Sequence, residues 1–259
     1  MRVRDITSAI EEFAPLSLQE DWDNSGLVVG SQDDEVHQVL FGFDCTPELI
    51  DEAEECGADM VVTHHPLIFR GIKRLDPADP TALAIIKAVR AGVAVYAAHT
   101  TADKVISGVS GAMAARLGLE DVRVLEDEGD GKGFGTIGNF PSPMSAGEAV
   151  AYVKEKFSLK VARCSRLVDG PVSKVAMCGG SGSSLIGAAV KAGAQLFITG
   201  DVSYHNFFTG KGFMIMDIGH FESEVDIVGI LFSLIRKKFP NFAVRTSSRL
   251  AGSNPVLYL

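Results

Sequence analysis

The hydrophobic and polar positions of the chain alternate between two kinds of segment. Short runs of β-branched and other apolar residues are followed by segments in which apolar residues recur at helical spacing. Buried strands of a parallel sheet have continuous apolar runs, and such strands joined by helices form βαβ units. The pattern therefore predicts an α/β fold with a largely parallel sheet. The segments that carry the pattern are QVLFGFD, PELIDEAEECG, DMVVTHH, TALAIIKAVRAG and VAVYAAH.

The chain also repeats itself. Residues 39–65 align without a gap over residues 175–201, and Thr63 falls on Thr199. Further along, each half has an apolar run followed by a histidine and then, four residues later, a carboxylate. These residues are His99 with Asp103, and His220 with Glu224. Two arbitrary βαβ units share helices and strands but not this polar spacing, so the repeat predicts an internal duplication with two similar α/β domains.

An acidic, glycine-rich segment without apolar periodicity, EDEGDGKG at residues 126–133, separates the halves. Such composition is typical of a linker. We therefore expect a first domain at residues 1–125 and a second at residues 126–225. The last segment, residues 226–259, is expected to pack back on the first domain.

Composition narrows the class of protein. The 259 residues are 46% hydrophobic and 22% charged, the profile of a globular chain with a buried core. No apolar run approaches the roughly 20 residues of a membrane helix, and the N-terminus has no apolar signal region. We therefore expect a cytoplasmic protein without a membrane partner. A net charge of −9 argues against a surface that coats nucleic acid, although it leaves room for a local basic channel.

Metal chemistry is indicated at the end of one apolar run. His64 and His65 are adjacent there, and Pro66 forces the chain to turn. One histidine at a strand end often only forms a hydrogen bond, but a pair favours a metal site. The four cysteines contain no CxxC pair, so no thiolate zinc site is indicated.

The two halves, if they face each other, bring five such side chains to one cleft, because ligands in α/β sheets gather at the carboxyl ends of the strands. The five are His64, His65, Asp103, His220 and Glu224. Imidazole and carboxylate ligands suit Zn, Mn, Fe, Co or Ni. A pair of such ions activates water near neutral pH, so the set predicts hydrolysis.

Several motifs, in order, resemble those of the NIF3-like dinuclear metal-centre family, whose members are often named as homologues of GTP cyclohydrolase 1 type 2. The motifs are WDNSGLVVG (22–30), FDCTPELI (43–50), THHPLIFRGIKRL (63–75), HTTADKVISGVS (99–110), GGSGSSLI (179–186), TGDVSYH (199–205) and GHFESE (219–224). The resemblance runs from Trp22 to the C-terminus. It implies that the five residues bind two divalent transition-metal ions. It also implies a toroidal homohexamer with the metal sites facing an internal cavity, in the short form without an inserted domain.

Other residues near these motifs carry weaker expectations. His99 precedes Asp103 by one helical turn, and we expect it to support a ligand through a hydrogen bond rather than to bind metal. His205 is a candidate general acid, with a plain surface histidine as the alternative.

Anion binding is the second weaker expectation. Lys104 follows Asp103 where the family has a small apolar residue, so we expect it beside the metals, favouring an anionic substrate. Ser181 and Ser183 lie in a glycine-rich loop that can cradle phosphate on its backbone amides. Asp23 and Asn24 form either a simple turn or the border of a pocket.

The sequence thus predicts a metal-dependent hydrolase of a nucleotide-like substrate, with opening of the imidazole ring of GTP as the reaction that the resemblance suggests. The alternative is a ring-shaped metal-binding regulatory protein that engages nucleic acid or a protein partner without catalysis. Too few ligands to saturate two ions leave positions for water, which favours the enzyme. Basic residues lining a cavity would favour the alternative.

Overall fold

Helices and strands alternate along the chain in the computed structural model, which describes residues 1–259. The strands are β1 (Gly26–Val29), β2 (Gln38–Phe41), β3 (Met60–Thr63), β4 (Ala94–Ala97), β5 (Glu120–Gly129), β6 (Lys132–Met144), β7 (Arg163–Cys164), β8 (Val172–Met177), β9 (Leu196–Thr199), β10 (Met214–Asp217) and β11 (Ala243–Thr246). The helices are α1 (Val3–Phe13), α2 (Pro47–Cys56), α3 (Pro80–Ala91), α4 (His99–Asp103), α5 (Val109–Arg116), α6 (Ala146–Lys156), α7 (Ile186–Lys191), α8 (His220–Glu224) and α9 (Asp226–Lys238). None of these helices is both long enough and apolar enough to span a bilayer.

The chain divides into two compact units. The first consists of Met1–Ala102 and Ile227–Pro255, and the second of Asp103–Asp226 and Val256–Leu259. The division therefore falls between Ala102 and Asp103, whereas the sequence analysis places it at 125/126. Most of the last segment lies with the first unit, as expected, but its final four residues lie with the second.

The acidic segment that suggested a linker is the tip of a hairpin inside the second unit. Strands β5 and β6 pair antiparallel as far as Gly129 opposite Lys132. Asp130 and Gly131 at the tip have φ of 54° and 68°, the left-handed values that a tight hairpin turn needs at both central positions. The segment is acidic because most of β5 is exposed, so its charge reflects solvent contact rather than a domain boundary.

The first unit has one sheet in the order β1-β4-β3-β2-β11. Strands β4, β3, β2 and β11 are parallel, and β1 is antiparallel at the edge. The local sequence determines where the helices begin. The side chains of Thr46 and Asp79 cap α2 and α3, each accepting from the backbone N–H of the third helical residue. A proline follows each cap as the first residue of the helix. Gly57 and Gly92 end the same helices in the left-handed conformation.

The second unit has a sheet in the order β5-β6-β8-β9-β10-β7. Only β8, β9 and β10 are mutually parallel, while β5, β6 and β7 add antiparallel strands. The predicted capping box at the start of α6 is present, because Ser145 and Glu148 each bond the backbone of the other. Two apolar clusters pack on this sheet.

The prediction of two similar α/β domains is confirmed by matching elements. Strands β3 and β9 occupy positions that the alignment places over each other, and both are fully buried. Each unit then has a parallel strand followed by a five-residue helix, α4 or α8, that begins at a histidine and ends at a carboxylate. The polar repeat in the sequence is therefore a repeat in the structure.

Candidate metal centre

The adjacent histidines of the first unit lie where β3 ends. His64 is fully buried and His65 half-buried. Both backbone N–H groups donate to the carbonyl oxygen of Phe43, at 3.1 and 3.3 Å, and the hydroxyl of Thr63 donates to the carbonyl of His65 at 2.8 Å. These bonds turn the chain at once, which keeps the two imidazoles neighbours with ring centroids 4.8 Å apart.

His65 is oriented by a carboxylate. Its Nδ1 lies 2.7 Å from Oδ1 of Asp44, a residue that follows β2 at the carboxyl edge of the sheet. A carboxylate accepts, so Nδ1 carries the proton, and Nε2 keeps its lone pair. This pairing is typical of metal-binding histidines, because it fixes the tautomer and raises the basicity of the other nitrogen.

His99 has the same arrangement. Its Nδ1 lies 2.7 Å from Oδ1 of Asp23, which is buried. We expected this hydrogen bond to go to a predicted metal ligand, and it goes to Asp23. Asp23 also accepts from Thr100 and Ser25. Burial alone would raise the pKa of Asp23, but the hydrogen bonds from His99, Thr100 and Ser25 outweigh it and hold that pKa well below its ordinary value.

The His99 ring therefore belongs to the histidine cluster of the first unit. Its centroid lies 5.5 Å from that of His64 and 5.3 Å from that of His65. With Nδ1 engaged by Asp23, Nε2 is the nitrogen that can accept a proton or bind an ion.

Three predicted ligands lie in the second unit. His220 Nδ1 contacts Oδ2 of Asp201 at 2.8 Å, and His220 Nε2 lies 3.0 Å from Oε2 of Glu224, one turn along α8. Asp103 and Glu224 both act on the thiol of Cys178. Burial, followed by the repulsion of these two carboxylates, raises the pKa of Cys178, so this cysteine stays protonated.

Two glycines leave room for Glu224. A Cβ added at Gly180 would overlap Oε1 of Glu224, and one added at Gly179 would lie 3.1 Å from its Cγ. Gly180 also has a φ of 58°, which favours glycine. Its N–H donates to the hydroxyl of Ser223 at 2.9 Å, which ties the loop after β8 to α8.

Comparison with known proteins decides the family. A family model described as Duf34/NIF3 (NGG1p interacting factor 3) matches residues 1–251. The chain belongs to the Duf34/NIF3 family. This confirms the resemblance drawn from the sequence motifs.

Relatives within the NIF3 family cover nearly the whole chain. A Clostridium perfringens protein named GTP cyclohydrolase 1 type 2 homolog is 34% identical over 228 residues, covering 86% of this chain and 87% of the relative. A Clostridium acetobutylicum protein of the same name is 30% identical over 259 residues, covering 98% and 97%. A crystal structure of a Staphylococcus aureus hypothetical protein matches with a TM-score of 0.92 at 25% identity, over 100% of this chain and 99% of that one.

Lys104 lies inside the second unit of this NIF3 chain. The side chain is buried, its Nζ lies 2.8 Å from Oε2 of Glu128, and it stands over the ring of Phe134 at 4.8 Å. A cation held in this way by a hairpin residue is engaged in the second unit's own packing. Its contact with an anionic substrate stays a prediction.

Two amides of the glycine-rich loop are hydrogen-bonded within the chain, and phosphate binding through Ser181 and Ser183 stays a prediction. The N–H of Gly180 donates to Ser223, and that of Gly182 donates to Thr199 at 2.9 Å. Ser181 is exposed, while Ser183 has a buried Oγ without a hydrogen-bond partner. Gly179 and Gly180 let this loop pack closely against Glu224 of α8.

His205 lies on the surface of the second unit. It is in a short 3₁₀ helix, Tyr204–Phe207, with exposed Tyr204 and Phe208 as ring neighbours. Its role as a general acid stays a prediction.

Sequence reasoning missed the three carboxylates that orient histidines. Asp44 and Asp201 each follow a strand at its carboxyl end, which is the same signal that identified the ligands. Asp23 lies in the WDNS motif, where the sequence permits a turn and gives no sign of the pairing with His99.

Proposed function

We propose that this chain binds two divalent transition-metal ions through His64, His65, Asp103, His220 and Glu224. The observation that carries the proposal is the set of carboxylate-histidine pairs: His65 with Asp44, His220 with Asp201 and His99 with Asp23. A histidine that only fills space in a core has no need of a carboxylate fixing its tautomer, whereas a metal ligand gains affinity from one.

The donor chemistry fits such ions. The side chains of His64, His65 and Glu224 each offer a ligand atom for a metal ion. Imidazole nitrogen and carboxylate oxygen suit borderline cations, and the nearby Cys178 is kept as a thiol. The absence of thiolate among the ligands favours a site that exchanges water over a closed structural site.

We propose that the site hydrolyses a nucleotide-like substrate. When bound, a pair of divalent ions supplies Lewis acidity and an activated water, which is the chemistry of hydrolysis. Asp44 and Asp201 hold the rings of His65 and His220 in place, and Nε2 of His99 is placed to take up a proton. The name of the curated relatives, GTP cyclohydrolase 1 type 2 homolog, supports a purine nucleotide as the first substrate to test.

The test has two stages. The chain is reconstituted with Zn, Mn, Fe, Co or Ni, and bound metal is measured by elemental analysis. We expect about two ions per chain. Loaded protein is then assayed against nucleotides and phosphoesters, with Glu224→Gln as the inactive variant and Glu155→Gln, an exposed carboxylate on α6, as the control. Metal content near zero at saturating metal would contradict the dinuclear site. Full metal without turnover of any nucleotide would favour the regulatory alternative.

A further inference from the structure

Two exposed aromatic rings border the histidine cluster of the first unit. Trp22 is 58% exposed and Phe69 45% exposed. Their centroids are 6.0 Å apart, and the planes meet at 67°. Large aromatic side chains are costly to leave in water, so an exposed pair beside a cluster of three histidines favours a surface that a ligand covers.

These rings lie beside His99. The centroid of His99 is 6.2 Å from that of Trp22 and 6.0 Å from that of Phe69, in edge-to-face arrangements. The same His99 ring contacts His65, at 5.3 Å between centroids. A flat molecule lying on either aromatic ring would therefore reach the imidazoles of the proposed metal centre.

The WDNS motif fixes the position of both rings. Asp23 is bonded to the start of α4 through His99 and Thr100. The side-chain amide of Asn24 donates to the carbonyl oxygen of Ile68 at 2.6 Å, which holds the residue immediately before Phe69. The aromatic rings are thus presented by a braced segment, so little order has to be gained when a ligand binds.

A basic segment begins at the next residue. Arg70, Lys73 and Arg74 lie within five residues, are all exposed, and make no ion pair or hydrogen bond in the structure. The acidic residues that follow are directed at backbone instead, because Asp76 accepts from Ala78 and Asp79 caps α3. In a chain of net charge −9, three neighbouring cations without acidic partners form a local anion-attracting surface.

We propose that Trp22 and Phe69 form a stacking platform for a nucleobase, and that Arg70, Lys73 and Arg74 bind the phosphate of the same nucleoside 5′-phosphate. Stacking on an aromatic ring tolerates any base, whereas guanidinium and ammonium groups recognise phosphate. This inference rests on the proposed function in that it names the substrate class of the same site.

The chain contains its own probe, since Trp22 is its single tryptophan. Tryptophan emission of the full chain is recorded during titration with guanosine 5′-monophosphate, both with metal and after chelation. We expect saturable quenching in both forms. Guanosine should bind more weakly, and inorganic phosphate should compete without quenching. Raised salt should weaken the nucleotide more than the nucleoside, because screening acts on the phosphate contacts.

Variants separate the platform from the basic segment. Phe69→Ala should weaken nucleotide and nucleoside alike, by roughly tenfold. The triple variant Arg70→Gln, Lys73→Gln, Arg74→Gln should weaken only the nucleotide and remove its salt dependence. Val89→Ala, at another exposed apolar residue, and the triple Lys160→Gln, Lys191→Gln, Lys211→Gln are the controls and should leave both affinities unchanged. Circular dichroism checks the fold of each variant.

The outcomes distinguish this inference from the proposed function. The platform would be overturned if Trp22 emission is not quenched, or if the quenching does not saturate as the nucleotide concentration rises. Binding that disappears on chelation would assign recognition to the metal ions and overturn it as well. Saturable binding in chelated protein would support the platform even if metal loading or hydrolysis failed, while loaded, active protein without Trp22 quenching would leave only the proposed function.

Discussion

Three histidines, His65, His99 and His220, have Nδ1 within 2.8 Å of an aspartate oxygen, so these aspartates are as informative as the predicted ligands. Asp44, at 2.7 Å from His65, and Asp201, at 2.8 Å from His220, have no other evident reason to lie at those strand ends. Replacing either by asparagine keeps the shape of the side chain but removes the charge that fixes the proton on Nδ1. The ring can then present the wrong nitrogen to an ion.

We therefore expect Asp44→Asn and Asp201→Asn each to weaken metal affinity by about 10–100-fold without unfolding the chain. Competition with a chromogenic chelator measures the affinity, and thermal unfolding of the metal-free protein checks the fold. Asp169→Asn, at an exposed position away from the ligands, is the control. Unchanged affinity in both orienting variants would remove the main support for the metal centre.

Glu224 and His99 offer a second comparison at the residue scale. A carboxylate able to bridge two ions serves both, so Glu224→Ala should lose more metal than His99→Ala. Metal titration of the two folded variants decides the order. Equal losses would show that His99 binds an ion directly, an outcome that its free Nε2 and its ring contacts with His64 and His65 allow.

Asp23 gives a stability prediction with a defined dependence on pH. Because the pKa of Asp23 is lower in the folded chain than in the unfolded one, its carboxylate stabilises the fold fully above the ordinary pKa of about 4, and the contribution is lost as the pH falls below that value. Asp23→Asn should lower the free energy of unfolding by about 2 kcal/mol at neutral pH. Urea unfolding from neutral to acidic pH measures the difference, which should shrink toward acid. A constant difference would mean that the charge is not involved.

At the scale of elements, glycine in the loop between β8 and α7 allows the loop to pack closely against Glu224 of α8. Gly180→Ala should displace Glu224, because the added methyl group overlaps its Oε1 at a position with positive φ. We expect destabilisation by at least 1 kcal/mol and reduced metal binding. Gly187→Ala, within α7 and with open space around it, should be neutral or stabilising. Thermal unfolding and metal titration measure both, and equal behaviour would contradict the packing role.

The elements that carry the ligands were predictable, and the exposed hairpin was not. Strands β3 and β9 have continuous apolar runs, and the spacing after β4 and β10 gave the histidine and carboxylate of α4 and α8. The prediction of a domain boundary at residues 126–133 was wrong because the strand there is exposed. A strand without a buried face lacks the apolar alternation that identifies strands in a sequence. The partners of Asp23 and Lys104 were not predictable for a different reason: His99 and Glu128 lie 76 and 24 residues away along the chain.

At the scale of the whole molecule, the question is how copies of this chain assemble. The family resemblance implies a ring, and closed symmetry is common among homo-oligomers. We propose a homohexamer that persists when metal is stripped, because contacts between subunits need not involve the ligands. Light scattering with and without chelator tests both parts. A monomer under both conditions would refute the ring, and a ring that dissociates on chelation would give the metals a structural role.

The first unit is built from both ends of the chain. Its strand β11 pairs with β2, and Glu52 on α2 accepts hydrogen bonds from Ser247 and Ser248. On the ribosome, β2 therefore has an unpaired edge until residues 243–246 have been synthesised. An exposed strand edge invites pairing with other chains. A nascent or prematurely terminated chain ending before β11 is thus a natural client for chaperones, and the synthesis of β11 closes the vulnerable edge.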